Sequence, residues 1–185
     1  MDCLEVKSRI LTELHLVNRK GIIELIIFLE HQSDFFIAPA SCGHHLNQEG
    51  GLAQHSLNVL ETMRRLNPGY FSEDTITVCA LLHDLCKTNL YKDNLLKNGS
   101  RSEAKPYVYR DDCRGLGHGE DSLFILLELG LELSLEEKKA IRWHMGPFDH
   151  TGLKNQGDWN DLSKLLFISD YYATTFLEKK QEANP

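Results

Sequence analysis

Apolar residues recur along most of this chain with the spacing of amphipathic helices. The first such segment runs from Leu4 to Val17. After Gly21 the apolar spacing starts anew, which predicts a second helix that ends near His31. After a loop, Gly50-Gly51 opens a third helix. One stripe of that helix holds Leu52, His55, Val59 and Met63. This stripe predicts that His55 faces the interior.

A fourth helix is predicted to begin after Ser72, which is a suitable N-cap because two acidic residues follow it in the first turn. The apolar pattern carries this helix through His83. Adjacent helical residues point about 100° apart. His83 and Asp84 can therefore reach one site from a single stretch of backbone, and we expect this helix to form the spine of a pocket.

The helical period is lost between Thr88 and Gly117, where Pro106-Tyr107-Val108-Tyr109 fits either a short hairpin or an irregular lid. Three further helices are predicted over residues 118–129, 135–144 and about 159–177, the second opened by the capping box Ser134-Leu135-Glu136-Glu137. The predicted fold is an all-α, single-domain helical bundle with an insertion near residues 88–117. Residues 1–40 are expected to pack as N-terminal helices on a domain of residues 41–177, and residues 178–185 to form a polar tail.

Composition is typical of one globular domain, with 185 residues, 42% of them hydrophobic and 25% charged. The net charge of −7 and pI of about 5.7 leave no general basic field, which disfavours long nucleic acid as a partner. The longest apolar stretch, residues 22–29, is interrupted by Glu24 and is too short to span a membrane. Five cysteines without a C-x-x-C pair, and an N-terminus unlike a secretory signal, predict a reduced cytoplasmic compartment.

Histidines and aspartates supply the candidate chemistry. Six donors are well separated along the chain: His55, His83, Asp84, His118, His144 and Asp170. A single histidine on an apolar stripe is more often a hydrogen-bonded core residue. Six imidazole and carboxylate donors together are what a helical protein needs to bind two metal ions, and they suit Mn, Fe, Co, Ni or Zn.

The chain resembles the HD-domain superfamily of metal-dependent phosphohydrolases over roughly residues 40–175. The resemblance lies in residues 50–56, in Leu81-Leu82-His83-Asp84-Leu85-Cys86-Lys87, and in His118, His144 and Asp170. It implies that His55, His83, Asp84 and Asp170 hold one metal, and that Asp84 bridges to a second held by His118 and His144. Cys86 stands where glycine is common in the family, a departure that removes no ligand.

Two ions bridged by Asp84 would lower the pKa of a shared water and direct it in line at a phosphorus atom. Asp84 and Lys87 are therefore the predicted catalytic residues. Lys87, one helical turn further on, would bind a phosphoryl oxygen or assist the leaving group.

The segment from Lys87 to Arg114 is locally cationic within an acidic protein. It predicts either a solvated loop or a lid in which Arg101 and Arg110 hold a phosphate while Tyr109 stacks on a base. His45 precedes the Gly50-Gly51 motif, and a substrate-binding or structural role is favoured over a metal role.

The leading functional hypothesis is a phosphohydrolase acting on a nucleotide or another small phosphate ester. One alternative is an HD-type di-iron oxygenase. Another is an exonuclease-like phosphodiesterase, because residues 44–55 also resemble the HD domain of certain 3′–5′ exoribonucleases; the lack of room for a nucleic-acid-binding domain disfavours it. The third alternative is a non-catalytic module that binds a metal or another ligand. The N-terminal helices either complete the core or form a homodimer interface.

Overall fold

The computed structural model describes residues 2–111 and 115–178, apart from the side chains of His150 and Leu153. The helices are α1 (Cys3–Leu16), α2 (Ile22–Ile27), α3 (Gly51–Leu66), α4 (Glu73–Leu82), α5 (His118–Glu128), α6 (Leu135–Trp143), α7 (His150–Lys154) and α8 (Asp161–Tyr172). The strands are β1 (Tyr91–Asp93) and β2 (Tyr107–Tyr109). One small sheet in a helical chain confirms the predicted all-α fold class.

The core lies around α3, which packs against α1, α4 and α8, while α6 packs against α5 and α8. On α1 the buried residues are Val6, Ile10 and Leu14, spaced four apart as the apolar period predicts. The apolar face of α1 therefore lies in the core of its own chain. Among the described residues, no helix is both long and apolar enough to cross a bilayer.

Two predicted helix caps are confirmed. The hydroxyl of Ser72 accepts a hydrogen bond from the backbone N–H of Thr75 at 3.2 Å. Ser134 and Glu137 form the reciprocal capping box: the Ser134 hydroxyl accepts from the Glu137 N–H, and the Glu137 carboxylate accepts from the Ser134 N–H. These bonds satisfy N–H groups that the first helical turn leaves unpaired.

The His83-Asp84 pair lies at the end of α4 rather than inside a longer helix. The helix ends at Leu82, His83 is its C-cap, and Asp84 has φ −103° and ψ 23°. A 3₁₀ turn over Leu85–Lys87 follows, in which the Lys87 N–H donates to the Asp84 carbonyl at 2.9 Å. This tight turn brings the Lys87 side chain back over Asp84.

The insertion contains a β-hairpin, so of the two alternatives the hairpin is confirmed. Its strands are antiparallel, and Tyr91 pairs with Tyr109 while Asp93 pairs with Tyr107. The rings of Tyr91 and Tyr109 lie on one face, with centroids 5.3 Å apart. Arg114, the last cation of the predicted lid, lies outside the described residues.

The C-terminal part of the fold contains more short elements than predicted. Short elements occupy the segment before α8: 3₁₀ turns at Gly146–Phe148 and Gln156–Asp158, and α7 between them. The side chain of Asn160 caps α8 by accepting from Ser163 N–H at 2.7 Å, and α8 passes at Ala173 into a π-helical turn ending at Leu177. A second π-helical turn extends α2 over Phe28–Gln32.

Candidate metal centre

The structure brings all six predicted metal ligands together from five helices. His55 lies in the middle of α3, His83 and Asp84 follow α4, His118 begins α5, His144 is the C-cap of α6, and Asp170 lies in α8. His55, His83, Asp84 and His144 are each at most 3% exposed.

Two glycines allow the surrounding segments to approach closely. A Cβ on Gly51 would collide with the carbonyl oxygen of Leu46, so glycine lets the loop that carries His45 fold against the start of α3. A Cβ on Gly119 would collide with the carbonyl oxygen of Arg142, so glycine lets α5 approach α6 beside His118 and His144. These contacts place histidines from separate elements around one centre.

One group of donors surrounds the Nε2 atom of His55. This atom lies 3.3 Å from His83 Nε2, 3.4 Å from Asp84 Oδ2 and 3.3 Å from Asp170 Oδ1. His83 Nε2 in turn lies 3.5 Å from Asp84 Oδ2. Four nitrogen and oxygen atoms thus point inward at separations close to those of ligands on one ion. We call His55, His83, Asp84 and Asp170 the first donor group.

The outer nitrogens of the rings fix which nitrogen faces the centre. His83 Nδ1 lies 2.9 Å from the Ala80 carbonyl, and His144 Nδ1 lies 2.7 Å from the Ile141 carbonyl. Because a carbonyl only accepts hydrogen bonds, each Nδ1 carries a proton as donor. The neutral form of each ring therefore presents an Nε2 lone pair to the centre, which is the arrangement of a metal-binding imidazole.

A second donor group lies on the other side of Asp84, whose two oxygens face different partners. Asp84 Oδ1 lies 3.5 Å from His144 Nε2 and 3.9 Å from His118 Nδ1. Among the described residues, none of these three buried atoms has a hydrogen-bond partner. Buried polar atoms in proteins are nearly always paired. Two imidazole nitrogens beside one carboxylate oxygen, all three unpaired, fit a bound cation, so the residues suit the metal that the resemblance implies.

The site electrostatics keep His83, Asp84 and Asp170 in forms that can bind a metal. Burial alone would lower the pKa of His55 and of His144, but the neighbouring carboxylates outweigh it and raise both pKa values. Burial lowers the pKa of His83 to about 4, so its ring is neutral at pH 7. Burial alone would raise the pKa of Asp84, but Lys87 and the neighbouring histidines outweigh it and hold that pKa well below the ordinary value. Burial likewise acts against ionisation of Asp170, but His55 lowers its pKa overall. Both carboxylates are therefore charged at neutral pH.

Glu178 is a site residue that the sequence analysis missed, having assigned it to the polar tail. It is 6% exposed, and its Oε1 and Oε2 accept from His55 Nδ1 at 3.0 and 3.1 Å. The Asn58 amide also donates to Glu178 Oε1 at 3.0 Å. The four-residue spacing of Asp170, Thr174 and Glu178 was an available sign of a shared face. The rest of the predicted tail, residues 179–185, lies outside the described residues.

Beside the donors lies a cavity of about 310 Å³. Lys87, His45 and Tyr109, three of the predicted substrate-binding residues, line it together with Asp84, His118 and Asp170. Aromatic rings form much of the remaining wall: Tyr91, Phe148, Phe167 and Tyr171. Lys87 is the one lysine or arginine among the lining residues that the structure describes.

Lys87 is buried, and its Nζ lies 2.6 Å from Asp84 Oδ2. Burial alone would lower the pKa of Lys87, but Asp84 outweighs it and raises that pKa above its ordinary value. His45 is uncharged at neutral pH, because burial together with His55 and Lys87 lowers its pKa to about 4. Within the described part of the chain, Lys87 is therefore the one lysine or arginine that lines the cavity next to the two donor groups.

The other two predicted substrate-binding residues do not line this cavity. Arg101 contacts Asp93 Oδ1 at 3.4 Å and Tyr107 Oη at 3.3 Å, and it borders a separate cavity on the hairpin. The backbone N–H of Arg110 pairs with the Leu90 carbonyl beyond the strand end. Arg101 lies outside both strands, in an isolated β-bridge with Leu95. The fold therefore gives no support to a phosphate-binding role for either arginine.

Comparison with known proteins identifies the family. No curated protein and no solved structure matches the chain. The family model of the HD domain matches residues 52–175, which is more than half of the chain and includes all six donors. This chain therefore belongs to the HD-domain family, a superfamily of metal-dependent phosphohydrolases.

Proposed function

We propose that this protein is a metal-dependent phosphohydrolase that cleaves a nucleotide or another small phosphate ester, with two divalent transition-metal ions per chain. The observation that carries the proposal is the position of Asp84. Its Oδ2 faces His55 and His83. Its Oδ1 faces His118 and His144. Such a carboxylate suits a bridge between two ions, and the nitrogen and oxygen donors suit Mn, Fe, Co, Ni or Zn.

Bound divalent cations would supply Lewis acidity that activates water and neutralises charge on a phosphoryl group. The chain's own residues orient the substrate. Lys87 carries a positive charge at the cavity wall, 2.6 Å from Asp84. A phosphoryl oxygen placed beside Asp84 comes within reach of Lys87, which positions the phosphorus atom and offsets the negative charge that develops during transfer.

The cavity supports a small substrate. Its volume of about 310 Å³ is at the low end for ligand sites, and its aromatic wall favours a planar or apolar group attached to the phosphate. Tyr91 and Tyr109 offer ring surface from the hairpin, Phe148 offers it from the 3₁₀ turn after α6, and Tyr171 from α8. Lys87 is the one lysine or arginine among the described lining residues. Because a polyphosphate carries more negative charge than one lysine offsets, a monophosphate ester fits this cavity better.

The test compares phosphate release from nucleoside monophosphates, cyclic nucleotides and dinucleotides by the wild type, Asp84→Ala and Asp161→Ala. Asp161 is an exposed aspartate on α8 paired with Lys164, so it is the matched control. We expect hydrolysis by the wild type and the control, and a loss of at least about a hundredfold for Asp84→Ala.

The alternatives give different results in the same assay. Bound iron with oxygen uptake and no phosphate release would indicate the di-iron oxygenase. Bound metal with no turnover of any kind would indicate the non-catalytic module. Equal hydrolysis by Asp84→Ala and the wild type would overturn the proposed site.

A further inference from the structure

The turn after Asp84 brings a thiol to the second donor group. Cys86 lies in the 3₁₀ turn Leu85–Lys87, and its thiol is free. One ligand atom from each of Asp84, Cys86 and His118 lies within 4.8 Å of the other two. Among the cysteines that the structure describes, Cys86 alone takes part in such a group.

Hydrogen bonding holds Cys86 and His118 in fixed relation. The Cys86 N–H donates to Ser122 Oγ at 3.0 Å, and Ser122 is fully buried in α5, one turn after His118. The turn that carries the thiol is therefore attached to the helix that carries the imidazole. Their proximity follows from this packing as well as from side-chain orientation.

The unpaired atoms of the second donor group favour a bound cation independently of the cysteine. Asp84 Oδ1, His118 Nδ1 and His144 Nε2 are buried without a hydrogen-bond partner in the described chain. Metal–sulfur bonds of about 2.3 Å and metal–nitrogen bonds of about 2.0–2.1 Å place two ligands of a tetrahedral ion about 3.6 Å apart. The ligand atoms of Asp84, Cys86 and His118 lie within 4.8 Å of one another, so side-chain rotations that bring them closer meet that geometry.

We propose that Cys86 is a ligand of the second metal position, which it completes with one oxygen of Asp84 and the imidazoles of His118 and His144. This inference rests on the proposed metal centre. Binding uses the thiolate, so the thiol proton is released to solvent as the metal–sulfur bond forms. A sulfur ligand makes this position favour zinc, cobalt or iron over manganese or magnesium.

Cobalt(II) titration of the metal-free protein tests the assignment, because a cobalt–thiolate bond gives a near-ultraviolet charge-transfer band that nitrogen and oxygen ligands do not give. The variants are Cys86→Ser, Cys86→Gly and, as the matched control, Cys3→Ser, whose residue is exposed on α1. We expect the band in the wild type and in Cys3→Ser. We expect its loss in both Cys86 variants, with affinity for the second cobalt lowered at least about tenfold.

Cobalt bound per chain is measured in the same samples by elemental analysis, and circular dichroism checks the fold. Two cobalt ions without the band in the wild type, or a band that persists in folded Cys86→Ser or Cys86→Gly, would overturn the role of Cys86 while leaving the metal centre intact. Failure of the wild type to bind cobalt would overturn both.

Discussion

At the scale of single residues, Lys87 has two partners available to it. In this structure it pairs with Asp84, and in the proposed reaction it pairs with a phosphoryl oxygen. Since Lys87 is a cation rather than a metal ligand, its removal separates substrate positioning from metal binding. Substitution of a proposed metal ligand, such as Asp84→Ala, would disturb metal binding and substrate positioning together.

We predict that Lys87→Met lowers kcat/KM for phosphate release by about 10²–10³-fold, because it removes a charge aimed at the developing transition state. Metal content should stay at the wild-type level. Lys92→Met is the matched control, since Lys92 is an exposed lysine on β1 paired with Asp111. Steady-state kinetics and elemental analysis of the three proteins check this, and an unchanged kcat/KM for Lys87→Met would exclude the positioning role.

Glu178 acts on the centre through His55. Its carboxylate accepts from His55 Nδ1, which orients the ring and leaves Nε2 facing the donors. We predict that Glu178→Ala weakens zinc binding about 10- to 100-fold, as expected for loss of the residue that holds a metal-binding imidazole.

A chelator competition titration measures this zinc affinity, with Glu24→Ala on the exposed face of α2 as the control. Glu178→Gln should recover part of the affinity, because its amide oxygen still accepts from Nδ1–H. Wild-type affinity in Glu178→Ala would mean that packing alone orients His55.

At the scale of secondary-structure elements, helices with clear periodicity and capping residues could be predicted from the sequence. Ser72 and the Ser134–Glu137 box begin their helices as expected. The end of α4 could not be predicted, because the apolar pattern continues through Leu85 while the chain tightens into a 3₁₀ turn. All six candidate ligands could be named, since the family's motif marks them. The buried position of Glu178 depends on a long-range contact with α3. The four-residue spacing from Asp170 indicates a shared face but not that contact.

The contact between α5 and α6 depends on Gly119, where a Cβ would meet the Arg142 carbonyl. We predict that Gly119→Ala lowers the free energy of unfolding by about 1–3 kcal/mol, because the helices must separate to accept the methyl group. Gly157→Ala is the control, since a Cβ there meets no atom within 4 Å. Urea denaturation measures both, and equal stability of the two variants would contradict the close approach.

At the scale of the whole molecule, a buried network joins the N-terminal helices to the helices that carry the site. Arg19 Nη1, between α1 and α2, lies 2.9 Å from Glu137 Oε2 in α6. The Thr75 hydroxyl in α4 donates to Glu137 Oε1 at 2.9 Å. Three parts of the chain therefore meet at one carboxylate, which links the packing of α1 to the positions of His83 and His144.

Burial tends to raise the pKa of Glu137, but hydrogen bonds from Arg19, the Ser134 N–H and Thr75 outweigh it and lower that pKa below 4.5. The stabilisation from the ionised group is thus full above about pH 4.5 and is lost as the pH falls through the folded-state pKa. We predict that Glu137→Gln costs roughly 1–3 kcal/mol at pH 7 and progressively less below pH 4.5. Denaturant unfolding across this pH range measures the difference, and a gap that does not change with pH would contradict the network.

In the proposed centre, Asp84 joins two metal positions in one chain. The most direct measurement is the number of zinc or cobalt ions retained per chain after reconstitution and desalting, compared between the wild type, His144→Ala and the control His15→Ala. His15 is an exposed histidine on α1. We predict two ions for the wild type and for His15→Ala, and one for His144→Ala. One ion in all three proteins would contradict the second position, and none in the wild type would contradict the metal centre as a whole.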